Sequence, residues 1–351
     1  MGCCDMTESA PDPGGEAAGI GRRSALKAFA GVAGGLAVAA RGLPAGAAEA
    51  PIRLAFCGQL LCVVPYEVTK ARGYFREEGL EVDLVYTRGG NAAMQALVGG
   101  AVDYAATSFD VAVQAFDKGA DIRRIVSTGR LPLFALATGP RSAAEITGVA
   151  DLEGRTIGVS ALGNADHVLA LTLLEQAGVA PTSVRFATLG PNLFDALRLG
   201  QVDAGMVQEP ALTLLTEAGG AVLVNIMDIE HAHRFLGGPY EFMGIAVRAE
   251  EREERREQMG KLARALARGL NDTRTIPVDE VVAALPSELV AGGNRGQLVG
   301  ILERHRMSLY PETPQIDRES AARVVGALND AGLIGPDFAL DRLLDTSVVD
   351  G

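Results

Sequence analysis

The chain has 351 residues, 48% of them hydrophobic and 22% charged, with 32 basic against 44 acidic side chains for a net charge of −12. That acidic balance excludes a groove built to neutralise nucleic-acid phosphates, and the absence of tryptophan excludes a sugar platform of stacked indoles. The length fits roughly two domains of about 150 residues, the aliphatic content excludes disorder for most of the chain, and no apolar stretch reaches the ~20 residues that span a bilayer.

Residues 1–20 are polar, rich in Gly and Pro, and without periodicity. Arg22-Arg23-Ser24-Ala25-Leu26-Lys27 then precedes the weakly apolar run Ala28–Ala40, which has the length of a signal-peptide core and is too short for an anchor. Paired arginines before such a run resemble a twin-arginine export signal, although Ala25 stands where a larger apolar residue is common. Ala45-Gly46-Ala47 supplies a small-residue cleavage site. Residues 1–47 are therefore expected to be a disordered extension plus signal peptide, cleaved near Ala47, leaving a soluble periplasmic protein. No Cys follows the apolar run, so a lipid anchor is not indicated.

Beyond the signal, short β-branched runs alternate with longer helical patterns, the rhythm of an α/β protein. The strand-like runs are Ile52–Phe56, Val82–Tyr86, Tyr104–Ala106, Phe134–Thr138, Thr156–Ser160, Val184–Thr188, Ala204–Val207, Val222–Val224 and Gly244–Val247. Helical patterns fill most gaps, among them Pro65–Arg72, Asn91–Gly99, Val111–Lys118, Ala165–Ala177, Leu193–Leu199 and Pro210–Ala218. Two units look like copies. Ala96-Leu97-Val98-Gly99-Gly100-Ala101-Val102-Asp103 aligns with Ala196-Leu197-Arg198-Leu199-Gly200-Gln201-Val202-Asp203, five of eight positions being identical, and Gly119 pairs with Gly219 at the same spacing. Each copy reads as helix, glycine, turn, Asp and buried strand. Two lobes of similar topology, with a cleft between them, follow from that repeat.

Three segments carry a wider resemblance: Arg72-Gly73-Tyr74-Phe75-Arg76-Glu77-Glu78-Gly79-Leu80-Glu81-Val82; Gly89-Gly90-Asn91 before a helix and Gly-x-Val-Asp; and Asp151-Leu152-Glu153-Gly154-Arg155-Thr156-Ile157-Gly158-Val159 running into Ser160-Ala161-Leu162-Gly163-Asn164. In this order and spacing, over about residues 51–345, they resemble the substrate-binding proteins of ABC importers in the nitrate/sulfonate/taurine group, whose relatives bind thiamine-pyrimidine precursors. The resemblance implies an α/β, two-lobed periplasmic-binding-protein fold of type II. Lobe 1 would comprise 51–135 and 244–345, and lobe 2 would comprise 138–240. Crossovers near Ala135–Thr138 and Gly244–Val247 would act as the hinge, and the helical tail from Glu250 would pack on lobe 1.

In open α/β sheets ligands sit beyond the carboxyl ends of strands, where helix N-termini expose free N–H groups. The strand-to-helix loops therefore supply the candidate ligand-binding residues: Gln59 and Cys62, Gly90 and Asn91, Thr107 and Ser108, Arg130, Ser160, Gly163, Asn164 and His167, Asn192, and Glu209. Facing helix N-termini suit an oxyanion. Glu209 would instead favour a cationic or N–H-donating group, while Arg88 and Arg130 point the other way. Asn91, Asn164 and Asp166 have an equally ordinary use as helix caps, and His167 as a structural side chain. Both a polar and an anionic organic ligand remain open.

Cys57 and Cys62 flank the first loop and are read as buried thiols rather than a disulfide, because a twin-arginine substrate folds in a reducing compartment. His231-Ala232-His233 is read as loop, which argues against a metal site. Glu250–Glu257 is read as a solvated charge run opening a helix. The expected function is the periplasmic solute-binding component of an ABC importer. Such a protein would be a monomer that needs no cofactor, binds no nucleic acid and delivers a small-molecule ligand to a membrane permease. An enzyme on the same fold and a periplasmic sensor subunit are the alternatives; no iron motif or spaced nucleophile–base pair supports the former.

Overall fold

The structure, a computed structural model, describes residues 50–290 and 294–349; the export signal expected in residues 1–47 lies outside them. Ten strands form two five-stranded sheets among the described residues. The first holds β1 (Ile52–Cys57), β2 (Val82–Thr87), β3 (Tyr104–Ser108), β4 (Ile122–Ser127) and β10 (Met243–Arg248), in the order β2-β1-β3-β10-β4. The second holds β5 (Ala135–Thr138), β6 (Thr156–Val159), β7 (Arg185–Thr188), β8 (Ala204–Val207) and β9 (Val222–Asn225), in the order β7-β6-β8-β5-β9. In each sheet four strands run in one direction, and the strand that has just crossed from the other sheet lies antiparallel between the last two of them.

The repeat seen in the sequence does the same mechanical work twice. Helices Gly90–Val98 and Leu193–Leu199 are followed by Gly100 and Gly200, with φ of 73° and 68°, a left-handed turn that a Cβ would strain. Asp103 then accepts the Arg53 N–H at 2.7 Å, and Asp203 accepts the Thr156 N–H at 2.8 Å. Each aspartate thus pins the neighbouring strand, at β1 in one lobe and β6 in the other.

The structure corrects several expectations. β4 was absent from the predicted strands, because Arg123-Arg124 reads as surface; a bulge around Ile125 lets Arg124 turn inward, fully buried, while Ile122, Ile125 and Val126 fill the core. The first helix spans Leu60–Ala71 rather than starting at Pro65. A proline inside a helix leaves the carbonyl four residues earlier without its partner. Here that carbonyl, on Leu61, accepts the Tyr310 hydroxyl at 2.9 Å. His231 and His233 lie on helix Ile229–Leu236, capped by Asp228, so their spacing puts them on different faces, and His231 Nδ1 accepts from the Asn225 N–H. The charge run is also more engaged than expected: Arg255 reaches Asp103 at 2.7 Å, and Arg252 pairs with Asp345.

The crossovers are 128–134 and 226–242; the strands expected to form the hinge sit inside the sheets. The two connections run side by side, joined by Thr128 N–H to Met243 O, Tyr240 N–H to Arg130 O, and Phe242 N–H to Gly129 O. The tail is not confined to the first lobe. Helix Arg256–Thr275 packs on Leu60–Ala71, but helix Arg318–Asp330 touches both Phe109–Asp117 and Ala165–Gln176, and Ser308 donates to Met227 O.

Gly269 marks where helix Arg256–Thr275 presses closest: a Cβ there would lie 1.8 Å from Thr69 Oγ1. Gly269→Ala should therefore destabilise the protein by about 1–3 kcal/mol, despite alanine's better helix propensity. A urea midpoint equal to or above that of the parent protein would contradict this packing.

Candidate functional site

A cleft of about 380 Å³ lies between the two sheets. Helix N-termini at Leu60, Gly90, Phe109 and Ala165 converge on it, as expected where parallel strands end and helices begin. At three of them the residue in the capping position, Gln59, Ser108 or Asn164, makes no capping bond with its side chain. Asn164 instead donates to Ser160 Oγ at 3.0 Å and accepts from Asn91 Nδ2 at 2.6 Å. The last bond crosses from one lobe to the other. A second crossing joins Gln114 Nε2 to Gly163 O at 2.9 Å. Two amides thus close the cleft mouth, and neither asparagine is a cap.

Of the residues singled out from sequence, Gln59, Cys62, Gly90, Asn91, Ser108, Ser160 and Asn164 line the cleft. The others do not, for reasons visible in their contacts. Thr107 is interior to β3, its hydroxyl turned to the Ser108 carbonyl. Arg130 anchors a crossover: its guanidinium donates to Ser308 O and Met307 O at the end of helix Arg295–Leu309, where unpaired carbonyls attract a cation. Gly163 and His167 line the outer side of the same loop, with His167 Nδ1 accepting the Gly163 N–H and its ring edge-on to Phe186; burial lowers its pKa. Asn192 is exposed at the start of helix Leu193–Leu199.

Glu209 lines a side chamber of about 200 Å³ that shares Gln59, Phe134, Ser160, Asp166 and Gln208 with the cleft. Its buried carboxylate accepts from the Thr213 N–H and hydroxyl, and lies 3.3 Å from Arg304 and 3.4 Å from His305. Burial alone would raise its pKa, but these donors hold it below the usual range. The acid ties the second lobe to the tail.

Sequence reasoning missed the floor. Phe134, Phe242 and Met243 lie on or beside the crossovers, outside the strand-to-helix loops, and are almost fully buried. Phe134 and Phe242 meet edge to face, with centroids 6.1 Å apart. Their apolarity beside the crossovers was the available signal. Cys57 and Cys62 are both free, buried thiols that line the cleft, and burial raises the Cys62 thiol well above its ordinary pKa.

The sequence matches the NMT1/THI5-like family over residues 63–280. The chain belongs to that family. Among solved structures, this NMT1/THI5-like protein resembles one from Bordetella bronchiseptica RB50, at 23% identity and TM-score 0.74, covering 86% of this chain and 96% of that one. It also resembles the periplasmic aliphatic sulphonate binding protein SsuA from Escherichia coli, at 18% identity and TM-score 0.66, covering 84% and 92%. A third is the periplasmic nitrate-binding protein NrtA from Synechocystis PCC 6803, at 10% identity and TM-score 0.71, covering 85% and 86%. No curated protein sequence matches the chain. The fold of this NMT1/THI5-like protein is the two-lobed periplasmic-binding-protein fold.

Proposed function

We propose that this NMT1/THI5-like protein is the solute-binding component of an ABC importer, holding a small polar organic molecule between two lobes and releasing it to a membrane permease. The lobes are built on the two sheets, 51–127 with 243–345 and 135–225, moving about the paired crossovers 128–134 and 226–242. The observation that carries the reading is the pair of amide bonds, Asn91 to Asn164 and Gln114 to Gly163, that draw the lobes together over a cleft with a polar wall and an aromatic floor. The sulphonate- and nitrate-binding titles of the structural neighbours support it. The acidic balance supports a partner other than nucleic acid, and the paired arginines before a short apolar run support export to the periplasm, with cleavage near Ala47. The reading is of a monomeric binder rather than an enzyme: amides and hydroxyls suited to holding a solute dominate the polar wall.

The test is a thermal-shift screen of small polar solutes, followed by small-angle scattering on each hit. A true ligand at 100 times its Kd should stabilise the native state by about 2.7 kcal/mol, shrink the radius of gyration, and be recovered unchanged. Chemical turnover of a stabilising compound would replace the binder with an enzyme. A panel without any stabilising solute would count against capture altogether.

A further inference from the structure

One aspartate, Asp166, lines the cleft, and a second, Asp110, is buried behind its wall. Asp110 and Asp166 are each the second residue of a helix, Phe109–Asp117 and Ala165–Gln176, and each is 1% exposed. That is the place where a bound anion would meet the positive end of the helix. Both positions are already filled by the protein's own carboxyls. Asp166 lines the cleft and accepts from Ser160, through both the N–H and the hydroxyl. Asp110 sits between Ser108 and Val111, which line the opposite lobe's wall, and neither of its carboxyl oxygens has a hydrogen-bond partner among the described residues. Its pKa is pushed up to about 6, by burial first and by Asp166 in the same sense.

The neighbouring charges leave this acidity uncompensated. Arg124 lies behind Asp110 but is spent on Glu241, at 3.6 Å, and on the carbonyls of Thr107 and Phe242. One guanidinium therefore stands against three buried carboxyls, with the Tyr240 phenol beside them. Arg88 is the only basic side chain among the described lining residues, and it is exposed.

We propose that the bound molecule presents a basic or N–H-donating nitrogen, such as an amidine, guanidine or amine, to Asp166, with the buried Asp110 adding to the negative field from behind the wall, and that a bare oxyanion is rejected there. This deepens the solute-binding reading and rests on it. An amidinium offers two parallel N–H groups, the geometry a carboxylate accepts best. Phe134 and Phe242 supply an apolar face for a ring, and the cleft volume suits a molecule of one or two rings. An oxyanion in the same place would lie against like charge in a medium that screens it poorly.

The test uses three probes of one shape, benzamidinium, benzamide and benzenesulfonate, in calorimetric titrations of the full processed chain at pH 8. Benzamidinium is expected to bind at least tenfold more tightly than benzamide, and benzenesulfonate not at all. Asp166→Asn keeps the size and acceptor of the side chain; it should cost benzamidinium at least tenfold and leave benzamide within about twofold. Asp110→Asn should act in the same sense. Affinity for benzamidinium should fall between pH 7 and pH 5 as the carboxyls protonate, a change that a merely structural Asp166 would not produce. Benzenesulfonate binding as tightly as benzamidinium, no binding of benzamidinium, or an unchanged amidinium-to-amide ratio in Asp166→Asn would each overturn the proposal. Compaction on benzenesulfonate would overturn it while leaving solute capture standing; capture itself falls only if the wider solute screen also fails.

Discussion

Asp110→Asn is expected to stabilise the protein at pH 8 by as much as about 3 kcal/mol and to leave it almost unchanged at pH 4. The sign follows from linkage. An unfolded aspartate titrates near 3.9, whereas the buried Asp110 does so at about 6, mainly because burial disfavours the charged form. The native state therefore holds this proton more tightly, and stability is lost as pH rises from about 4 through 6. Asparagine has no charge to desolvate, so the variant's advantage should grow across that window and then level off. Urea unfolding at pH 4, 6 and 8 measures it. Parallel curves for the two proteins would mean that Asp110 carries no buried charge. A residue whose conservative replacement stabilises the fold is one retained for another purpose, and the cleft beside it supplies that purpose.

Arg124→Met is expected to cost about 3–5 kcal/mol, the largest loss of any single change considered. The guanidinium is fully buried, donates to Thr107 O at 2.9 Å and Phe242 O at 3.0 Å, and sits 5.6 Å from the centre of the Phe109 ring. Methionine fills much of the volume but leaves two carbonyls and the Glu241 carboxyl without their cation. Burial already pushes Glu241 up to about 7, against the pull of Arg124; without that pull it rises further, so the loss should be greater at pH 8 than at pH 5. Adding Glu241→Gln to Arg124→Met should recover a measurable part of the loss, because it removes the stranded charge. A double variant no more stable than Arg124→Met would show that the pair is not coupled.

These two residues also mark where the sequence was readable and where it was not. Strands with short uncharged runs bounded by turn residues, such as Ala204–Val207, and the duplicated helix–Gly–Asp unit announced themselves, because backbone geometry demanded those residue types locally. β4 did not, since Arg124 is buried only because strands from distant parts of the chain bring acceptors to it. The cleft followed the same division. Gln59, Asn91, Ser160 and Asn164 were found by asking which residues lie in the loops between a strand and the next helix. Asp110 and Asp166 resemble ordinary first-turn acids in sequence, and only their burial distinguishes them. Arg130 was misplaced because nothing local reveals that helix Arg295–Leu309 ends beside it.

The order of strands also constrains how the chain can be made. The second sheet is encoded without interruption, from Ala135 to Asn225, and can be completed as soon as that stretch is synthesised. The first begins at Ile52 but lacks its inner strand until Met243–Arg248 arrives, with β3 and β4 having no direct pairing to each other before then. On the ribosome the earlier-born half must therefore wait, with two open edges, for the later-born half to finish.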